Sequence, residues 1–142
     1  MKILVTGGAG FIGSCFVGRI MSKHPRLKVV NLDKLTYAGN TDNLSAVMDN
    51  PRHVFIRGDI CDARTVERAM SGCDAVVNFA AETHVDRSIA DSGAFLKSNY
   101  MGVSVLLETA RKLKTGRFLQ VSTDEVYGSI RKGVFTEDSP LA

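Results

Sequence analysis

Ile3-Leu4-Val5-Thr6-Gly7-Gly8-Ala9-Gly10-Phe11-Ile12-Gly13 is the stretch whose reading decides the fold. An apolar run enters a glycine cluster, and a helical pattern follows at once. That is the strand–turn–helix that holds a dinucleotide pyrophosphate. Gly7 and Gly8 allow a tight turn that side chains would block. Gly10 lets backbone N–H groups approach the phosphates, and Gly13 lets the helix pack close to the strand. The phosphates meet the free N–H groups and the positive dipole end of that helix. A glycine turn alone is a weak signal. Here an acid, Asp33, also lies 20 residues after Gly13, at the end of a second apolar run, Val29 to Leu32. A carboxylate there accepts hydrogen bonds from an adenine ribose.

Working outward, strands and helices alternate. Phe11 to about His24 reads as a helix with Ile12, Phe16, Val17 and Ile20 on one face, and Pro25 stops it. Strand two is Lys28 to Asp33. A turn-rich loop, Lys34 to Asn40, precedes a short helix from Asn43 to Met48. Strand three is His53 to Arg57, and Asp62 caps a helix through Met70 that ends at Gly72. Strand four is Ala75 to Phe79. The longest helix runs from about Gly93 to Leu113, with Leu96, Tyr100, Val103, Leu107 and Ala110 at helical spacing and Gly116 marking its end. Strand five is Phe118 to Ser122.

Five strands alternating with helices predict an α/β fold, a Rossmann-type doubly wound parallel sheet in the order 3-2-1-4-5. Ligands in such sheets bind beyond the carboxyl ends of the strands. Those ends are Gly7–Gly13, Asp33–Thr36, Asp59–Ile60, Ala80–His84 and Thr123–Glu125, so every polar segment of interest falls on one rim.

Composition narrows the function. At 142 residues the chain is one domain by length, and its 44% hydrophobic and 23% charged residues are near globular norms. A net charge of +3, with no basic run interleaved with aromatics, argues against nucleic acid as a partner. Arg111, Lys112 and Lys114 read as a solvated helix end. Cys15, Cys61 and Cys73 are odd in number and widely spaced, and read as small buried apolar residues with reduced, cytoplasmic thiols. His24, His53 and His84 have no metal-ligand spacing. Neither a leader peptide nor a membrane-spanning run is seen.

The residues that could do chemistry are Ser122-Thr123-Asp124-Glu125. An apolar strand delivers a hydroxyl and two adjacent acids to the ligand rim. Two carboxylates in one desolvated site split their pKa values, so that one donates a proton and the other accepts one. The competing reading is an ordinary helix N-cap or solvated turn. The residues alone leave both open.

Five segments carry a resemblance: Thr6–Gly13, Asp33–Asn40, Gly58–Ile60, Ala80–Ser88 and Ser122–Gly128. Together they resemble the N-terminal half of the dTDP-glucose 4,6-dehydratases, a branch of the extended short-chain dehydrogenase/reductase family. The resemblance implies NAD as cofactor, storing a hydride from sugar C4 and returning it to C6. It implies that Glu125 removes the C5 proton, that Asp124 protonates the departing C6 hydroxyl, and that Thr123 hydrogen-bonds the reacting sugar hydroxyl. The product would be a 4-keto-6-deoxy nucleotide sugar. By the same resemblance, Gly7, Gly10, Phe11, Ile12, Gly13, Asp33, Lys34, Leu35, Thr36, Asp59, Ile60, Ala80, Ala81, Glu82, Thr83 and Ser98 are cofactor contacts. Thr83, His84 and Thr123 are substrate contacts. Asn99, beside Ser98, reads only as a brace for the sheet.

Related branches leave alternatives. Epimerases lack the paired acids, and decarboxylases and GDP-mannose dehydratases usually carry Ser where Asp124 stands, so Asp124 favours dTDP-glucose. The charge of Asp33 would repel a 2′-phosphate, which favours NAD, although Lys34 beside it weakens that argument. The family's Tyr with a Lys four residues later is not found: Tyr37, Tyr100 and Tyr127 are followed by Thr41, Ser104 and Arg131. The expectation is therefore an incomplete NAD-binding domain, truncated after strand five and without its substrate domain. It would be inactive alone and a homodimer through the long helix when complete. The alternatives are a related epimerase or decarboxylase, or a non-catalytic NAD-binding module.

Overall fold

A computed structural model describes residues 1–83 and 92–141. Five strands are found among them: β1 Lys2–Thr6, β2 Lys28–Asp33, β3 His53–Arg57, β4 Ala75–Asn78 and β5 Arg117–Gln120. They form one parallel sheet in the order β3-β2-β1-β4-β5, as the alternation predicts. The bounds of β2 and β3 are those read from the sequence. β4 and β5 each stop short of the expected end, leaving Phe79 and Val121–Ser122 in the rim loops.

The sheet is apolar on both faces because helices cover both. Leu4, Val30, Leu32 and Val76 point to one side, where they pack with Val66, Ala69, Met70, Leu106 and Ala110. Ile3, Val5 and Val29 point to the other and pack with Val17, Met21, Leu44 and Val47. Helix α1 (Phe11–Lys23) buries Gly13, Val17 and Met21, one residue per turn. Ile12, expected on that face, is 64% exposed. The short connecting helix begins earlier than read, as a 3₁₀ turn Thr41–Leu44 running into α2 (Ser45–Met48). Helix α3 (Ala63–Met70) starts as predicted, with the Asp62 carboxylate accepting the Arg64 N–H at 3.0 Å.

The long helix departs most from expectation. It is three segments: α4 (Ser92–Phe95), a π-helical stretch Leu96–Gly102, and α5 (Val103–Leu113). The predicted apolar face is mostly outside, with Leu96 62%, Tyr100 73% and Leu107 48% exposed. Ala110 is buried as read, but its buried companions are Gly102, Leu106 and Thr109. A π turn holds an extra residue, so side chains beyond it no longer follow a 3.6-residue count. Gly102 packs so tightly that a Cβ there would lie 2.5 Å from Ile60 Cδ1.

Among the cysteines, Cys73 is buried as read, Cys61 is half-buried and Cys15 is exposed. Arg111 pairs with Glu108 and Lys112 with Glu67, which accounts for two cations of the helix end. Among the described residues no helix is long and apolar enough to cross a membrane.

Candidate functional site

The glycine turn is built as its sequence requires at Gly7, whose φ of +68° lies in the left-handed region. A Cβ there would also lie 2.6 Å from the Ala80 nitrogen, so the turn sits directly on the exit of β4. Gly13 packs against the turn itself, its Cβ position being 2.2 Å from the Gly7 carbonyl oxygen. Gly8 is explained differently from the reading above. It lies over the buried Asn31 side chain, whose Oδ1 would be 2.2 Å from a Cβ. No side chain caps α1 at Gly10. The N–H groups of its first turn therefore open into the space above the sheet with no intrahelical acceptor.

That space is a pair of adjoining depressions sharing Gly7, Asp33, Ala80 and Ala81. One is lined by Lys34, Thr36, Gly58, Asp59, Ile60 and Ser98. The other, of about 310 Å³, is lined by Gly10, Phe11, Ile12, Gly13, Thr83, Ser122 and Thr123. Residues from all five strand ends thus border one continuous trough. Asparagines hold its rim. Asn78 accepts from Thr6 Oγ1 and from the Ala80 N–H at 3.2 Å, and donates to Gln120 Oε1 at 2.8 Å. It ties β1, β4 and β5 together at the rim. Asn99 does not brace the sheet as expected. Its side chain clasps the Glu82 backbone, accepting the N–H and donating to the C=O at 2.8 Å each, and so holds the loop that leads to Thr83. The tasks of Asn31 and Asn78 were not read from the sequence, because their partners lie far along the chain.

Asp33, 9% exposed, accepts the Ala9 N–H at 2.9 Å and the Leu35 N–H at 2.8 Å, one on each oxygen. Each oxygen retains a lone pair for a ligand hydroxyl. Leu35 has φ +56° and packs its side chain against the α1-side core rather than lining the trough. Lys34 reaches across to Asp59, with Nζ to Oδ2 at 2.8 Å. That contact raises the Lys34 pKa. Burial opposes ionisation of Asp59, but hydrogen bonds from Lys34 and from the Cys61 N–H outweigh it and hold its carboxyl below the usual range. The Cys61 thiol is pushed up by its own burial and by the Asp59 charge, and it donates to the Lys97 carbonyl at 3.1 Å.

Of the acid stretch, Thr123 lines the trough. Asp124 and Glu125 follow it in a 3₁₀ turn, Asp124–Tyr127, and both are exposed. Tyr127 stacks on Phe135 at 5.2 Å between ring centroids, which holds the turn against the segment that follows. His84, Asp86 and Arg87 lie outside the described residues. No group of three potential metal ligands occurs among the described residues, so none marks a metal site there.

With this geometry in view, a family model described as GDP-mannose 4,6 dehydratase matches residues 4–142. The chain belongs to that family. A dTDP-glucose 4,6-dehydratase of Streptomyces niveus is 52% identical over 146 residues, a match covering all of this chain and 44% of the relative. The crystal structure of DesIV, a dTDP-glucose 4,6-dehydratase from Streptomyces venezuelae solved with NAD, superposes with a TM-score of 0.94 at 51% identity, over 100% of this chain and 45% of that one. A Thermus thermophilus UDP-glucose 4-epimerase in complex with NAD gives a TM-score of 0.85 at 32% identity, covering 100% and 44%. The fold is therefore shared across dehydratases and epimerases. The chain spans less than half the length of these relatives.

Proposed function

We propose that this chain is the NAD-binding half of a dTDP-glucose 4,6-dehydratase, a hydro-lyase acting on a nucleotide sugar. The observation that carries the reading is the continuous trough. It runs from Asp33 and Asp59 past the uncapped start of α1 to Thr123, the residue directly before the paired acids. The trough fits a dinucleotide: open N–H groups suit a pyrophosphate, and Asp33 suits an adenosine ribose. When bound there, NAD supplies reversible hydride storage between sugar C4 and C6.

The chain's own residues do the rest. Thr123 hydrogen-bonds the reacting hydroxyl and fixes the sugar beside the acids. Glu125 takes the C5 proton, which a C4 ketone makes acidic. Asp124 gives a proton to the departing C6 hydroxyl, and the C–O bond breaks with release of water. Thr83 lines the same trough, which supports a contact to both ligands. Asp124, where related decarboxylases and GDP-mannose dehydratases usually carry Ser, supports dTDP-glucose as substrate.

The test is Asp124→Asn in the full-length protein, with water loss from dTDP-glucose followed by mass spectrometry. A positioned general acid contributes about 10²–10⁴-fold, and unchanged dehydration would remove Asp124 from this role. The 142-residue chain alone should give no 4-keto product, because no Tyr in it has a Lys four residues on; clear turnover would overturn that. The exposed stripe of Leu96, Tyr100, Met101 and Leu107 supports pairing of two copies through the long helix. Light scattering that finds the full-length protein monomeric at micromolar concentration would reject it.

A further inference from the structure

We propose that Asp59 determines cofactor selectivity by holding Lys34 away from the 2′ position of the adenosine ribose; this rests on the NAD site proposed above. A cation next to the ribose-binding acid is ambiguous in sequence. In dinucleotide folds an acid at this point selects the unphosphorylated ribose, whereas a neighbouring cation accommodates a 2′-phosphate. Asp33 and Lys34 present both signals side by side.

The structure shows where each charge is committed. Lys34 is the one cation among the described residues lining the depression it shares with Asp33. Its ammonium does not stay beside Asp33 but spans from the end of β2 to the end of β3, reaching Asp59 at 2.8 Å. Asp59 is the fixed partner. Its side chain is 24% exposed against 52% for Lys34, and its second oxygen accepts the Cys61 N–H at 2.9 Å. Lys34, on a flexible stem, goes where the anchored charge is. A 2′-phosphate arriving at Asp33 would meet carboxylate charge from Asp33 and a lysine already paired. A ribose hydroxyl would meet only the open lone pairs of Asp33.

The experiment measures equilibrium binding of NAD and of NADP to the full-length protein and three variants, Asp59→Asn, Lys34→Met and the double variant. Asp59→Asn keeps the side chain's shape and its acceptor oxygen but frees the lysine. It should shift the NADP:NAD affinity ratio about tenfold toward NADP, in keeping with one gained charge-assisted contact. Asp59→Ser serves as the second release variant should the amide fold poorly. The double variant should lose that shift and return to the ratio of Lys34→Met alone. A gain retained in the double variant would mean only that a repelling carboxylate had been removed, and would overturn the proposal. So would an NADP:NAD ratio unmoved by Asp59→Asn. Wild-type protein that binds no NAD would sink the NAD site itself and this inference with it, whereas NAD binding with an unmoved ratio would sink the inference alone.

Discussion

Two glycines of the same turn should fail in different ways when replaced by alanine. A Cβ on Gly13 would lie 2.2 Å from the Gly7 carbonyl oxygen and 2.8 Å from the Gly8 Cα. Both are backbone atoms, so relief requires α1 to move off the turn by about 1 Å, against an ordinary carbon contact of roughly 3.5 Å. Overpacking of this kind costs about 1–3 kcal/mol, or a fall of roughly 2–6 °C in the melting temperature of the longer full-length protein. Gly10 differs. Its φ of −75° suits any residue, and a Cβ would meet only the Gly7 oxygen at 3.3 Å and the Ala38 oxygen at 4.0 Å. The fold should tolerate Gly10→Ala far better than Gly13→Ala, because its one close contact needs only a few tenths of an ångström of give. The added methyl, however, stands at the uncapped helix start, where a pyrophosphate would approach. Pushing a phosphate oxygen out by about 1 Å takes it from hydrogen-bond distance to beyond 3.5 Å. Two charge-assisted bonds lost at about 1.5–3 kcal/mol each weaken binding by at least about 100-fold. Thermal melts and calorimetric NAD titrations of the full-length variants separate the cases: Gly13→Ala should lose stability and binding together, Gly10→Ala binding alone. A Gly10→Ala protein that binds NAD within about threefold of wild type would refute the placement of the phosphates at this helix start.

Other perturbations follow from contacts at and beneath the trough. Asn99→Ala removes both bonds to the Glu82 backbone, and about tenfold weaker NAD binding is expected with little change in urea midpoint; unchanged affinity would show that the loop holds itself. Arg52 donates to the carbonyls of Met21, His24 and Leu27 at 3.1–3.4 Å, closing the C-terminal end of α1. Arg52→Ala should therefore cost about 1–3 kcal/mol in urea unfolding, and a cost near zero would show that solvent replaces the guanidinium. His53, 7% exposed beside Asn31, has its pKa lowered from 6.5 by burial. Its folded pKa lies below the unfolded one, so as pH falls the unfolded chain takes up the proton first. This group's contribution to stability is steady above pH 6.5 and declines below it until the folded pKa is passed. Stability measured from pH 7.5 to 5 should show that decline less steeply in His53→Gln, and identical slopes would reject the assignment.

How much of this was legible in sequence depended on how local the cause was. β2 and β3 could be bounded to the residue because their apolar runs end at turn-forming Asp33-Lys34 and Gly58. The sheet order followed from alternation and the handedness of crossovers. The long helix was misread for two physical reasons. Its π segment breaks the 3.6-residue phase. Its sheet-facing side is also made of Gly102 and Thr109, residues that a count of apolar side chains passes over. The partners of the rim asparagines were invisible for another reason. Thr6 and Asn78 are 72 residues apart, and Glu82 and Asn99 are 17 apart. A hydrogen bond over such distances leaves no periodic trace.

Cofactor grip and acid–base chemistry also differ in what they need from the surroundings. The proposed pyrophosphate site draws on the first strand, turn and helix, whose open backbone N–H groups are placed by Gly7 and Gly13. The acids are placed but not enclosed. Dividing two neighbouring carboxylates into a donor and an acceptor requires taking water away from at least one of them, and here both Asp124 and Glu125 are exposed. β5, which delivers them, is an edge strand with Leu119 56% exposed. The relatives extend over more than twice this length, and in the proposed enzyme that additional protein is what would cover the edge and dry the acids. Binding and catalysis should therefore separate at the level of the chain itself. The 142 residues should hold NAD by backbone geometry, and the difference between Asp124 and Glu125 should emerge only when more protein closes over them.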